Sequence, residues 1–219
     1  MALKYRYVLF DLDGTVTDSA PGILNSGEYA LKRILGSTPP REAMRRMIGP
    51  PLTESMHEYF GVPLSRVDEA IRLYREYYLT KGIYENELYP GIRETLFALK
   101  DLGAVPCLAS AKPEFMVEKV LKHFGLDKVF EVAAGGSDGP DGGNKRVIIG
   151  NVMRRAGFSD PREGVMVGDR IFDIRGAREA GMDSVGVLYG YGSEEELAGA
   201  GADMLAKDAA SLLSLLTEG

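Results

Sequence analysis

Short apolar runs with polar borders recur along the chain at Tyr7–Phe10, Val105–Ala109, Val129–Ala133, Val165–Val167 and Ser184–Leu188. Runs that are apolar at successive positions, rather than alternating, predict strands buried on both faces of a parallel sheet. Helical spacing fills the intervals. Gly91 to Leu102 carries Ile92, Leu96, Leu99 and Leu102 on one face and stops at Gly103, and Glu114 to Phe124 stops at Gly125 in the same way. The alternation predicts an α/β fold with a Rossmann-like open parallel sheet. Pro106 removes one ladder donor near the start of the second strand.

The interval between the first two runs is far longer than a crossover helix needs. It shows no strand pattern but holds amphipathic helical patterns at Pro21–Leu35 and Leu64–Tyr78, with breaks at Gly36–Pro40, Gly49-Pro50-Pro51 and Gly61-Val62-Pro63. Residues 17–86 are therefore expected to form an inserted, all-helical cap on a core made of residues 1–16 and 87–219. Gly135 to Gly143 reads either as a linker or as a functional loop ahead of Lys145. No internal repeat interrupts this plan.

Composition narrows the function classes. The chain has 219 residues, enough for a sizeable core, and its 45% hydrophobic content argues against a disordered tail. A net charge of -6 with acids and bases interleaved leaves no basic patch for nucleic acid. Met1 to Arg6 lacks a secretory pattern and no apolar stretch approaches the ~20 residues that span a bilayer, so a cytoplasmic protein with no membrane partner is expected. Cys107, the single cysteine, reads as a small buried core residue.

Two acidic clusters stand at strand ends, where open α/β sheets place their ligands. Asp11-Leu12-Asp13-Gly14-Thr15 follows the first strand, and strand alternation points Asp11 and Asp13 toward roughly the same side. Two carboxylates so close call for a shared proton or a hard cation such as Mg²⁺. Gly168-Asp169-x-x-x-Asp173 follows the fourth strand, with the two acids on one helical face. An ordinary turn at Asp13-Gly14 and a helix cap at Asp169 would explain each cluster separately, but not their pairing. Ser110 and Lys145 are candidate donors to an anionic substrate; a helix cap near Pro113 and a surface lysine are the plainer alternatives.

Taken in order, these elements resemble the haloacid dehalogenase superfamily of phosphohydrolases across nearly the whole chain. Asp11-x-Asp13-Gly14-Thr15 resembles its first motif, Ser110 its second, Lys145 its third and Gly168-Asp169-x-x-x-Asp173 its fourth, with the helical type-one cap between the first and second. Ile48-Gly49-Pro50-Pro51, Tyr89-Pro90-Gly91 and Gly186 to Gly192 are most similar to the phosphoglycolate phosphatase and 5'-nucleotidase group, although Arg146 follows Lys145 where that group usually has proline.

The resemblance implies a phosphoric monoester hydrolase. Asp11 would be the nucleophile and Asp13 the general acid and base. Mg²⁺ would be held by Asp11, the backbone carbonyl of Asp13 and Asp169, supported by Thr15 and Asp173. Ser110 and Lys145 would bind the phosphoryl oxygens, and the cap would close over the site. The substrate would be a small phosphorylated metabolite and the protein a monomer or homodimer. An acid at position 13 disfavours dehalogenation, and the lack of a lysine between Lys32 and Lys81 disfavours phosphonate cleavage. A β-phosphoglucomutase-like mutase and a non-catalytic binding protein stay open. Arg45 and Arg46 are candidates for facing the substrate; His57 and His123 read as structural. Tyr189 and Tyr191 are open between core and interface, and Leu212 to Leu216 read as core.

Overall fold

A computed structural model describes residues 2–137 and 142–218. The middle of the Gly-rich segment, 138–141, lies outside the described residues. The chain forms two compact units, Met1–Asp18 with Leu88–Gly219, and Ser19–Glu87.

The first unit is built on six parallel strands: β1 (Tyr7–Phe10), β2 (Val105–Pro113), β3 (Val132–Gly136), β4 (Gly164–Gly168), β5 (Asp183–Val187) and β6 (Met204–Ala206). Their order across the sheet is β3-β2-β1-β4-β5-β6, an open sheet whose direction of growth reverses beside β1. Every residue of β1 is buried. Leu9 packs with Cys107, Ala109, Ala134 and Met166 under the helices α5 (Lys145–Ala156) and α6 (Ile171–Ala180). Phe10, one position on, meets the edge of Phe130, so the two faces of β1 are both covered. The remaining helices of this unit are α3 (Ile92–Asp101), α4 (Glu114–His123), α7 (Glu194–Ala200) and α8 (Ala209–Leu216), where Leu212 and Leu216 are buried.

The structure moves one strand of this sheet, adds another and accommodates a proline inside a third. The third strand runs Val132–Gly136 rather than Val129–Ala133. Val129 closes a turn by donating its N–H to the Leu126 carbonyl; it and Phe130 are apolar because they are buried, not because they extend. Pro106 sits inside β2 without cost. Val105 donates toward β1 through Arg6, so the nitrogen of Pro106 faces the other side, where β3 first pairs at Cys107↔Val132. The sixth strand, β6, has only three residues and no long apolar run to announce it.

The second unit is helical. Its two long helices, α1 (Ala20–Leu35) and α2 (Val67–Thr80), pack on each other and are joined by short helical turns between Arg41 and Arg66. Pro21 stands in the first turn of α1, and Gly36 ends it in the left-handed conformation, donating to Lys32 O. Arg45 approaches Glu42, Arg46 lies over the Tyr59 ring, and His57 Nδ1 bonds the Val62 carbonyl within this unit. No helix among the described residues is long and apolar enough to cross a membrane.

Candidate active site

The site begins where β1 ends. Asp11 N–H donates to Val167 O at 2.9 Å, the last bond tying this strand's run to β4, and the chain then folds into a tight loop. The Leu12 carbonyl accepts from Val16 and Thr17, both at 2.9 Å, and Gly14 donates to Thr17 O at 2.7 Å. Gly14 has a φ of 90°, in the region that L side chains avoid. A Cβ there would also stand 2.2 Å from Asp169 Oδ2. The glycine thus lets the loop after β1 press directly on the acid that follows β4.

Asp169 is fully buried, with Thr15 Oγ1 donating to its Oδ1 at 3.3 Å and Tyr191 N–H to its Oδ2 at 2.7 Å. Gly190 closes the other side: its Cβ would lie 2.3 Å from both Asp169 Cβ and Gly14 O. Tyr189 donates its hydroxyl to Thr15 O and Tyr191 donates its own to Asp18 Oδ1, so both tyrosines left open by the sequence brace the loop after β1. Asp173, in the first turn of α6, accepts the N–H of Arg170 at 3.1 Å.

Lys145 is the first residue of α5 and is buried. Its ammonium meets Asp11 Oδ1, Asp173 Oδ1 and the Ala109 carbonyl, each at 2.8 Å, which matches its three donors to three acceptors. Burial works to strip its proton, but Asp11 and Asp173 outweigh that, so its pKa lies above the ordinary lysine value. For Asp11 the balance differs. Burial pushes it up to about 6; Lys145 pulls it down, while Asp173 and Asp13 add to the rise. Burial, then Asp173 and Asp11, hold Asp169 well above the usual carboxylate range, against the Tyr191 N–H and Arg170.

One carboxylate oxygen from each of Asp11, Asp169 and Asp173 comes within 4.8 Å of the others. Two buried acids and one half-buried acid, offering only oxygen, with Lys145 bonded to two of them, fit a hard divalent cation such as Mg²⁺. Of the metal set expected from sequence, Asp11 and Asp169 contribute carboxylates to this cluster and Asp173 supplies the third. Asp13 does not bring its carboxylate into it, which leaves its backbone carbonyl for the part assigned to it.

The Asp13 carboxylate is instead gripped by Lys112, whose Nζ is 2.6 Å from Oδ1 and also bonds Oδ2. Sequence reading missed Lys112. The available signal was its place two residues after Ser110, which strand alternation puts on the same side. Ser110 is buried one residue beyond Ala109, the residue whose carbonyl receives Lys145. Its Oγ accepts the Lys112 N–H at 3.3 Å; helix α4 starts only at Glu114, with Pro113 at its cap, so Ser110 is not the cap.

The family described as haloacid dehalogenase-like hydrolase matches residues 8–187. A 5'-nucleotidase of Pseudomonas aeruginosa is 36% identical, covering 90% of this chain and 88% of its own. The tyrosine-protein kinase PtkA of Mycobacterium tuberculosis is 38% identical over 85% of this chain, which spans 63% of that relative's length. Among solved structures, a predicted phosphoglycolate phosphatase from Haemophilus somnus superposes with a TM-score of 0.87 at 26% identity, covering 98% of this chain and 99% of that chain.

Proposed function

The chain belongs to the haloacid dehalogenase-like hydrolases, and we propose that it is a Mg²⁺-dependent phosphatase acting on small phosphomonoesters of the phosphoglycolate or 5'-nucleotide kind through an aspartyl-phosphate on Asp11. The observation that carries this reading is the Asp11 carboxylate itself: it stands at the end of the central strand, is held by Lys145, and shares its cluster with Asp169 and Asp173. The names of the similar proteins support the substrate class.

In the first step an oxygen of Asp11 attacks phosphorus while the ester P–O bond breaks, its electron pair leaving with the alcohol oxygen. Asp13, protonated, gives its proton to that oxygen. In the second step water attacks the phosphorus of the aspartyl-phosphate and Asp13 accepts a proton from it; the bond to Asp11 breaks, which restores the carboxylate and releases inorganic phosphate. Lys145, its three donors engaged, keeps Asp11 oriented and sets a positive charge beside the transferring phosphoryl oxygens, to which Ser110 offers its hydroxyl. Asp11, Asp169 and the backbone carbonyl of Asp13, supported by Asp173, would hold Mg²⁺, which would supply positive charge to offset that of the carboxylate and the phosphate. Thr15 and Tyr191 hold Asp169 in place for that purpose.

Phosphate release from a panel of small phosphomonoesters, with Mg²⁺ or with EDTA, tests the proposal on the parent and on Asp11→Asn. Release that needs Mg²⁺ and vanishes in the folded variant is the expected result. A parent that releases nothing from any ester, or a variant that keeps the rate, overturns it.

A further inference from the structure

The site holds two buried lysines, and the mechanism above uses only one. Lys145 serves Asp11 and Asp173; Lys112, with only 5% of its side chain exposed, reaches both oxygens of Asp13. The fold takes trouble to put it there. Strand β2 pairs regularly with β3 as far as Ala109↔Ala134, then shifts register before Pro113↔Gly136, and Ser110 to Lys112 lie in the irregular stretch. That stretch presses close against β3 at a pair of glycines: a Cβ on Gly135 would lie 2.7 Å from Lys112 O, and one on Gly136 would lie 2.3 Å from Ala111 O.

From this geometry we infer that Lys112 is a positioning residue, which holds the carboxyl group of Asp13 toward the leaving-group oxygen and apart from the Asp11–Asp169–Asp173 cluster. The inference rests on the phosphatase reading. Asp13 follows Asp11 by two residues, in a loop crowded with acids, and a carboxylate there is drawn toward the cation that the other three attract. An ammonium that reaches both oxygens opposes that collapse and fixes the orientation of the carboxyl plane, and one of its two contacts yields when that oxygen carries the proton to be delivered. One lysine thus keeps the nucleophile in line while the other keeps the acid and base separate from it.

The experiment compares two esters. An alkyl phosphate such as 2-phosphoglycolate expels a strongly basic alkoxide and needs a well-placed acid; 4-nitrophenyl phosphate expels a weakly basic phenolate and needs far less help. The quantity compared is kcat/KM, which covers binding and aspartyl-phosphate formation. For Lys112→Met we expect kcat/KM to fall about tenfold more on the alkyl ester than on the nitrophenyl ester, with partial recovery in Lys112→Arg. A residue that only packs the site, or that binds phosphate directly, lowers both esters equally; equal losses, or no loss, overturn the inference. Thermal unfolding confirms that each variant is folded. If Lys112→Met does not fold, the same comparison is made on Lys112→Arg, where a differential loss of about threefold is expected and equal losses overturn the inference. A parent inactive on both esters defeats the phosphatase reading and this inference with it, whereas an active parent with equal losses defeats the inference alone.

Discussion

Replacing Gly190 by alanine tests the geometry around Asp169 without touching a titratable group. The added methyl would lie 2.3 Å from Asp169 Cβ and 2.3 Å from the Gly14 carbonyl oxygen. Carbon atoms rest at about 3.5–4.0 Å, so the overlap exceeds an ångström on two sides. No rotamer change clears it, because one obstacle is backbone. Overpacking of this kind costs about 1–3 kcal/mol, offset by about 0.4–1 kcal/mol from the reduced freedom of the unfolded chain. The net cost is at most about 2.6 kcal/mol, and at about 2–4 °C per kcal/mol for a chain of this size the melting temperature is expected to drop by up to roughly 10 °C. Gly150, inside α5, supplies a control of opposite sign: nothing lies within 4 Å of its Cβ position, and Gly150→Ala is expected to stabilise by about 0.5–1 kcal/mol through helix propensity. Circular dichroism melts in EDTA read both variants. If Gly190→Ala melts at or above the parent, the glycine does not wedge Asp169 against Gly14 and the account of the site is wrong.

Two further outcomes follow from the acidic cluster. Asp11 titrates near 6 in the folded chain against an ordinary 3.8, so between those values the folded state binds more protons than the unfolded one, and the contribution of Asp11 to stability falls as pH rises through that window. In EDTA, the stability that Asp11→Asn gains over the parent at pH 7 is therefore expected to shrink as pH falls from about 6 to about 4; a gain independent of pH would contradict a buried, reluctant carboxylate. MgCl₂ is expected to raise the melting temperature of the EDTA-treated parent, with about 2.7 kcal/mol of stabilisation at a hundred times the dissociation constant, and to do much less for Asp169→Asn. Equal shifts in the two proteins would place the cation elsewhere.

Much of this molecule is legible in its sequence because the central strands and the acids after them leave local marks. Tyr7–Phe10 is apolar at every position because it lies between β2 and β4 with both faces covered, and Asp11 follows at once. Asp169 and Asp173 announce themselves by spacing. What the sequence hides is what depends on neighbours. Val129 and Phe130 look like strand residues because burial in a turn selects the same side chains as burial in a sheet. Lys112 is marked only by its place two residues after Ser110, since its importance lies in an ion pair with Asp13, a residue remote in sequence. The same holds for Tyr189 and Tyr191, whose hydroxyls reach Thr15 and Asp18. Gly135 and Gly136 suggest a loose linker, yet they lie in β3, where their lack of side chains admits the neighbouring backbone.

The position of β1 between β2 and β4 also sets the order in which the protein can assemble. Tyr7 pairs with Val105 on one side and Gly164 on the other, so the strand that carries the proposed nucleophile emerges from the ribosome long before either neighbour exists. At ~5–20 residues per second, the wait for the first partner is on the order of ten seconds and the wait for the second is longer. Helices α1 and α2, whose contacts are closer in sequence, are free to form meanwhile. Throughout that interval four consecutive apolar residues have no sheet to join, a transient exposure of the kind that favours aggregation until the neighbouring strands arrive.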